Sequence, residues 1–201
     1  MHEAAVAGEG RFCKGSRVIA GFQDAFVALC TDVRLRRDRE ATLARFRLDD
    51  RERAALRAIP ADALDRYARS LIAKRWGELA RVLPLTRRVA PRLHERYTRW
   101  ALAHPATAHD TVLAPGVVEA LRAPLAALLC DEAEPPYACE LAQFEALRAA
   151  SRADGHVRAQ KARFAIYAIA DDISRGLLPI DPDLAPTELR FERDRVKWRP
   201  A

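Results

Sequence analysis

Glycine is scarce in this chain, eight copies in 201 residues, and none sits in a strand-to-helix turn able to cradle a phosphate. GxGxxG, P-loop, HExxH and GxSxG elements are all missing, which removes the usual signatures of dinucleotide, phosphoryl-transfer, zinc-protease and serine-hydrolase chemistry. Cys13, Cys30, Cys130 and Cys139 are far apart and form no CxxC pair; free thiols in a reducing cytoplasm are the simplest reading. His2, His94, His104, His109 and His156 show no metal-ligand spacing, and two histidines in one loop, His104 and His109, do not make a metal site by themselves. Asp171 and Asp172 are the one tempting carboxylate pair. Adjacent residues at a helix start point in different directions, and capping explains them more simply than acid–base work. No catalytic residue and no metal site is assigned, and the chain does not read as an enzyme acting alone.

Long apolar runs are missing too. No stretch approaches the roughly 20 apolar residues that span a bilayer. The opening MHEAAVAGEGRFCKG has no apolar core of signal-peptide length. The expectation is a soluble, cytoplasmic protein with no membrane partner. Aromatics make up only 7% of a chain that is 50% hydrophobic and rich in Ala, Leu and Arg. That mixture suits helices better than an all-β fold, and the length allows one good core or two small ones.

Positive charge is present and unevenly spread. Residues 1–105 hold 22 Lys+Arg against 13 Asp+Glu, and residues 106–201 hold 12 against 15. A basic first half favours an acidic partner, whether nucleic acid, peptide or protein.

The stretch from Asp62 to Arg88 organises the rest. At helical spacing Leu64, Tyr67/Ala68, Leu71/Ile72, Leu79 and Val82/Leu83 form one stripe, and Arg66, Arg69, Lys74, Arg75 and Arg81 fill the opposite side. Pro84 stops that helix, and Thr86 is placed to cap a second one carrying Val89, Leu93, Tyr97 and Trp100. Upstream, residues 1–17 read as a loose terminus. Phe22, Phe26 and Leu29 begin a helix that ends near Cys30. Thr31 or Asp32 caps the next segment, and Asp49 with Glu52 forms a capping box ahead of Leu56 and Ile59, before Pro60.

Downstream, the period lapses at His104–Thr107, which marks a boundary between a helical domain over 18–105 and an α+β domain over 106–201. A helix is expected over Val117–Cys130, then a DEAEPP linker, then a helix over Tyr137–Ala150 closed by Asp154–Gly155. Ala162–Ile169 reads as a buried strand, followed by a short helix, ISRGL, which Asp171 or Asp172 caps and Gly176 ends. Glu188–Arg199 reads as a hairpin with its turn at Arg193–Asp194. In that register Phe191 faces Val196 and Leu189 faces Trp198 on one side; Glu192 faces Arg195, Arg190 faces Lys197 and Glu188 faces Arg199 on the other. The fold class is therefore α+β, a mainly helical N-terminal domain followed by a smaller unit with a three-stranded sheet.

RYARSLIAKRWGELARVLPLT, its continuation RLHERYTRWALAHP, and PYACELAQFEALRA followed by strand, short helix and a hairpin ending RVKWRP occur together. Over roughly residues 20 to 199 this resembles the small partner subunits of multinuclear non-heme iron oxidative enzymes that modify ribosomally made peptides. The N-terminal half is similar to relatives labelled as a putative DNA-binding domain. The resemblance implies a non-catalytic chain that forms a heterodimer with the iron enzyme and binds the precursor peptide, whose leader adds a strand to the small sheet. It implies no cofactor in this chain, the iron belonging to the partner enzyme. The peptide-binding residues would be Arg190, Arg195, Lys197, Arg199 and Tyr167, and the partner interface Arg66, Arg69, Lys74, Arg75 and Trp76. The alternative is a helical nucleic-acid-binding regulatory protein using the basic face around Arg66, Arg69, Lys74 and Arg75. That face lacks a helix-turn-helix signal and is interleaved with Asp65 and Glu78, so nucleic acid is the less favoured partner.

Overall fold

A computed structural model describes residues 15–104, 128–129 and 134–201. The chain divides into two compact units, Met1–Ala68 and Arg69–Ala201. All but His104 of the boundary expected at His104–Thr107, and nearly all of the helix expected over Val117–Cys130, lie outside the described residues. So does most of the expected loose terminus, although its last residues, from Gly15, are already helical.

The first unit is helical: α1 (Gly15–Thr31), α2 (Val33–Arg37), α3 (Arg39–Ala44), α4 (Asp50–Ala58) and the start of α5 (Ala61–Val82). Its core is small, with Ala25, Leu29, Leu43, Leu56 and Leu64 buried. Capping residues decide where each short helix begins. Asp32 accepts the Arg34 amide, Asp38 accepts the Ala41 amide, and Asp49 and Glu52 complete the capping box. Arginines close the C-terminal ends: Arg36 donates to the Leu29 and Cys30 carbonyls, and Arg39 to those of Arg57 and Ile59. Gly21 lies against the Arg47 carbonyl, where a Cβ would come within 2.7 Å of the oxygen. Tyr67, expected on the buried stripe of α5, is 46% exposed and tilts against Phe26.

The second unit holds the rest of α5, α6 (Thr86–Val89), α7 (Leu93–Ala103), α8 (Ala138–Asp154), β1 (Arg158–Phe164), α9 (Ile166–Ser174), β2 (Leu184–Glu192) and β3 (Arg195–Pro200). Ile72, Leu79 and Val82 of α5, with Leu83 just past its end, join its core as the stripe predicts, while Leu71 is only half buried. The single helix expected after Pro84 is split in two. Pro91 forces Ala90 out of helical geometry, to φ −123° and ψ 72°. Thr86 is not the cap; it is the first residue of α6, and its hydroxyl and amide donate to the buried Glu145 carboxylate at 2.7 and 2.8 Å, beside the Leu85 amide at 2.7 Å.

The strand expected over Ala162–Ile169 begins and ends earlier, at Arg158–Phe164, and a helix takes Ile166 onward. Ile166, Ile169, Ala170 and Ile173 fall at i, i+3, i+4 and i+7, a helical stripe that outweighs the short alternation. Asp171 and Asp172 consequently lie inside α9 and cap nothing at its start. Gly176, at φ 89°, ends that helix in a Schellman turn, with the Leu177 amide reaching the Asp172 carbonyl and its own reaching that of Ile173.

The sheet is antiparallel in the order β1-β2-β3. Its inner face carries Ala162, Phe164, Leu189 and Phe191 against α8, where Phe144 meets Phe191 and Tyr137 meets Phe164. The hairpin has the register derived from sequence, pair for pair from Glu192↔Arg195 to Glu188↔Arg199. Its two-residue turn lacks glycine, so Arg193 takes a left-handed φ of 47° at a cost of roughly 1 kcal/mol.

Candidate functional site

Strand alternation makes the two faces of the hairpin chemically different. Arg190, Arg195, Lys197 and Arg199 project to the outer face, joined by Lys161 from β1. Two glutamates hold these cations in place. Glu188 accepts from Arg199 Nε at 2.9 Å and approaches Lys161 Nζ at 3.7 Å. Glu192 meets Arg190 Nε at 3.0 Å and Lys197 Nζ at 2.7 Å. The hydrogen bond from Arg199 holds the Glu188 carboxyl below the usual glutamate range, and that from Lys197 does the same for Glu192. With five cations against two carboxylates, the face stays positive. Between the long side chains, over Ala159, runs a groove of about 510 Å³.

The inner side of the same strand is aromatic. Trp198 lies on the same side of the sheet as Phe191, as the register predicts, but on the edge strand it is 54% exposed. Its ring stacks on Tyr167 of α9, with centroids 6.4 Å apart and planes 23° apart. Tyr167 is itself 46% exposed. The pair therefore forms a half-open apolar shelf beside the sheet edge.

Backbone geometry shows which groups that edge presents. A two-residue loop makes Glu192/Arg195 a hydrogen-bonded pair, and the ladder alternates from there, so Lys197 and Arg199 also bond toward β2. The Ala201 amide donating to the Pro186 carbonyl at 3.0 Å continues that alternation. The amides and carbonyls of Val196 and Trp198 consequently point outward, where no further strand pairs among the described residues. Pro200 ends the donor row, since it has no N–H. The opposite edge is less regular. β1 shifts register between Ala162 and Phe164, and the Glu140 carboxylate takes up the Arg163 and Phe164 amides.

The sheet thus brings four of the residues expected to bind peptide, Arg190, Arg195, Lys197 and Arg199, to one face, while Tyr167 of α9 lies on the other side against Trp198. The residues expected at a partner interface are arranged differently. Arg66 pairs with Asp62, one turn back, within the first unit. In the second unit Arg69 and Lys74 are exposed, and Arg75 is half-buried. Trp76 is half-buried and stacks on His94 at 4.8 Å and tilts against Tyr97 at 5.5 Å. Burial pushes the Tyr97 phenol up against the opposing pull of Arg75. Trp76 is therefore one wall of a row of rings that continues through Trp100 to His104. Of the two histidines considered as a pair, His109 lies outside the described residues, and the described residues contain no cluster of three or more His, Cys, Asp or Glu suited to a metal.

Sequence reasoning missed the exposure of Trp198 and the shared role of Glu192. The second was within reach: Arg190 facing Lys197 is a like-charge pair that calls for a nearby acid. Comparison with protein-family models, curated proteins and solved structures finds no match to this chain.

Proposed function

We propose that this chain is a non-catalytic partner protein that receives the leader of a ribosomally made precursor peptide as an added strand at β3. It would present that peptide to a multinuclear iron oxidative enzyme in the cytoplasm. The observation that carries the reading is the β3 edge. Its outward amides and carbonyls at Val196 and Trp198 offer backbone pairing, cations line one side, and the Trp198–Tyr167 shelf lines the other. Backbone bonds of this kind supply affinity, and alternate side chains supply register and specificity. The resemblance in the α5–α7 and α8 strings supports the choice of precursor and enzyme as partners. The basic side of α5 is the surface offered to the enzyme. No helix among the described residues is long and apolar enough to cross a membrane.

Co-expression with a multinuclear iron oxidative enzyme and the precursor peptide encoded beside it, followed by pull-down, tests the assembly. Recovery of this chain without either of them overturns it. Titration of the leader against the Arg195→Glu/Lys197→Glu variant tests the edge. Affinity should fall several-fold, most at low salt where screening is weakest. Unchanged affinity in the folded variant leaves the hairpin as structure only. The isolated chain should bind no stoichiometric iron, and one tightly held iron per chain by metal analysis ends the proposal.

A further inference from the structure

The cross-strand pairs on the outer face of the hairpin are not equivalent. Glu188 faces Arg199 and Glu192 faces Arg195, so each of those arginines has a carboxylate directly opposite. Arg190 faces Lys197. Like charges directly opposite on a sheet destabilise it, and here both cations lean on one acid, Glu192, at 3.0 and 2.7 Å. On β1 the residue facing Arg190 is Ala159, which has no charge to contribute. The row Ala159–Arg190–Lys197 therefore crosses the whole sheet without an acid, and it ends at the β3 edge.

Building on the strand-addition reading, we infer that the strand received by β3 is selected chiefly at one position, an Asp or Glu facing Lys197 with an apolar residue on either side. Successive side chains of an added strand alternate between faces, so the one facing Lys197 projects onto the outer side. A carboxylate there supplies the acid the row lacks and frees Glu192 for Arg195, its direct partner. The two neighbouring side chains project the other way, onto Val196 and the Trp198–Tyr167 shelf. The position facing Arg199 selects less because Glu188 already holds that arginine, and the one facing Arg195 selects less once Glu192 is freed to its direct partner. A second copy of β3 is a poor occupant, since antiparallel pairing of two such strands sets cations against cations. The partner class is a short acidic–apolar peptide segment.

The test uses the full chain and a synthetic peptide with valines on one face and threonines on the other, a single glutamate replacing the central threonine. Glutamine and lysine versions serve as comparisons. Binding is read by fluorescence anisotropy at low salt, and docking by hydrogen exchange at the Val196 and Trp198 amides. The glutamate peptide should bind several-fold tighter than the glutamine peptide and protect both amides. Lys197→Glu should reverse the preference toward the lysine peptide, whereas Arg195→Glu should leave the glutamate peptide preferred. Lys197→Gln, which adds no charge, should abolish the preference without reversing it. If glutamate and glutamine peptides bind alike while both amides become protected, selection at Lys197 is overturned and strand addition stands. If Arg195→Glu reverses the preference as well, the single-position claim is overturned. If no peptide protects either amide, strand addition itself fails, and this inference with it.

Discussion

The first unit starts its short helices with capping residues close by in the chain; in the second, α6 begins and α9 ends on groups from far away. Asp32, Asp38 and the Asp49–Glu52 box act within three residues of the amides they hold. In the second unit the start of α6 is held by Glu145, 59 and 60 residues distant, and Arg88 donates to the Ile173 carbonyl at the end of α9, 85 residues away. A local cap is formed almost as soon as its helix forms. A distant one exists only once the core has assembled, and it then locks two elements together. The difference predicts that the second unit is the more cooperative and the more sensitive to single buried changes.

The largest expected effect lies in the second core. Leu79, 2% exposed, should cost about 2–5 kcal/mol on truncation to Ala, through lost transfer energy and a residual cavity. Leu71, half-buried on the same helix, should cost clearly less. Equal shifts in denaturant midpoint for the two would break the assignment of the α5 faces.

Glu145→Ala comes next. It strands the Leu85 and Thr86 amides and the Thr86 hydroxyl, and about 3 kcal/mol is expected from unsatisfied buried donors. The same group sets a pH test. Burial holds its carboxyl above the ordinary glutamate value despite those hydrogen bonds. The folded state therefore keeps a proton that the unfolded chain has released, and this contribution is lost as pH rises from the ordinary glutamate pKa through the raised one. Glu188 and Glu192, held below the ordinary value, act in the opposite sense, and their contribution is lost as pH falls. Urea unfolding across pH should show a loss on the rising side that Glu145→Gln flattens. An unchanged profile in that variant would remove Glu145 as the cause.

In the first unit, Asp49→Ala should cost about 1 kcal/mol, the usual worth of an N-cap. A cost matching that of Glu145→Ala would erase the contrast between local and distant caps. The smallest effect is expected at Arg69 on the exposed side of α5, where replacement by Ala should stay within about 0.5 kcal/mol in a thermal melt.

Legibility in the sequence follows the same division. The Asp49–Glu52 box, the end of α4 at Pro60, the α5 stripe and the Gly155 stop were readable, because each depends on residues within a turn or two. The hairpin register was readable as well, since a two-residue turn and period-two alternation leave one pairing that puts Leu189 and Phe191 inside. The β1–α9 boundary was not, because Ala162–Ile169 satisfies a strand and a helix period over so short a run and only packing chooses between them.

By itself the sequence determined the α+β class, the local caps, and a hairpin with cations on one face and apolar residues on the other. Tertiary structure alone decided that β3 is an edge and that Trp198 meets Tyr167 there in the open. It also decided that Glu145 holds Thr86 and that Glu140 takes up the end of β1. Strand order and buried carboxylate partners depend on which distant segments share one core. Local periodicity carries no term for that choice.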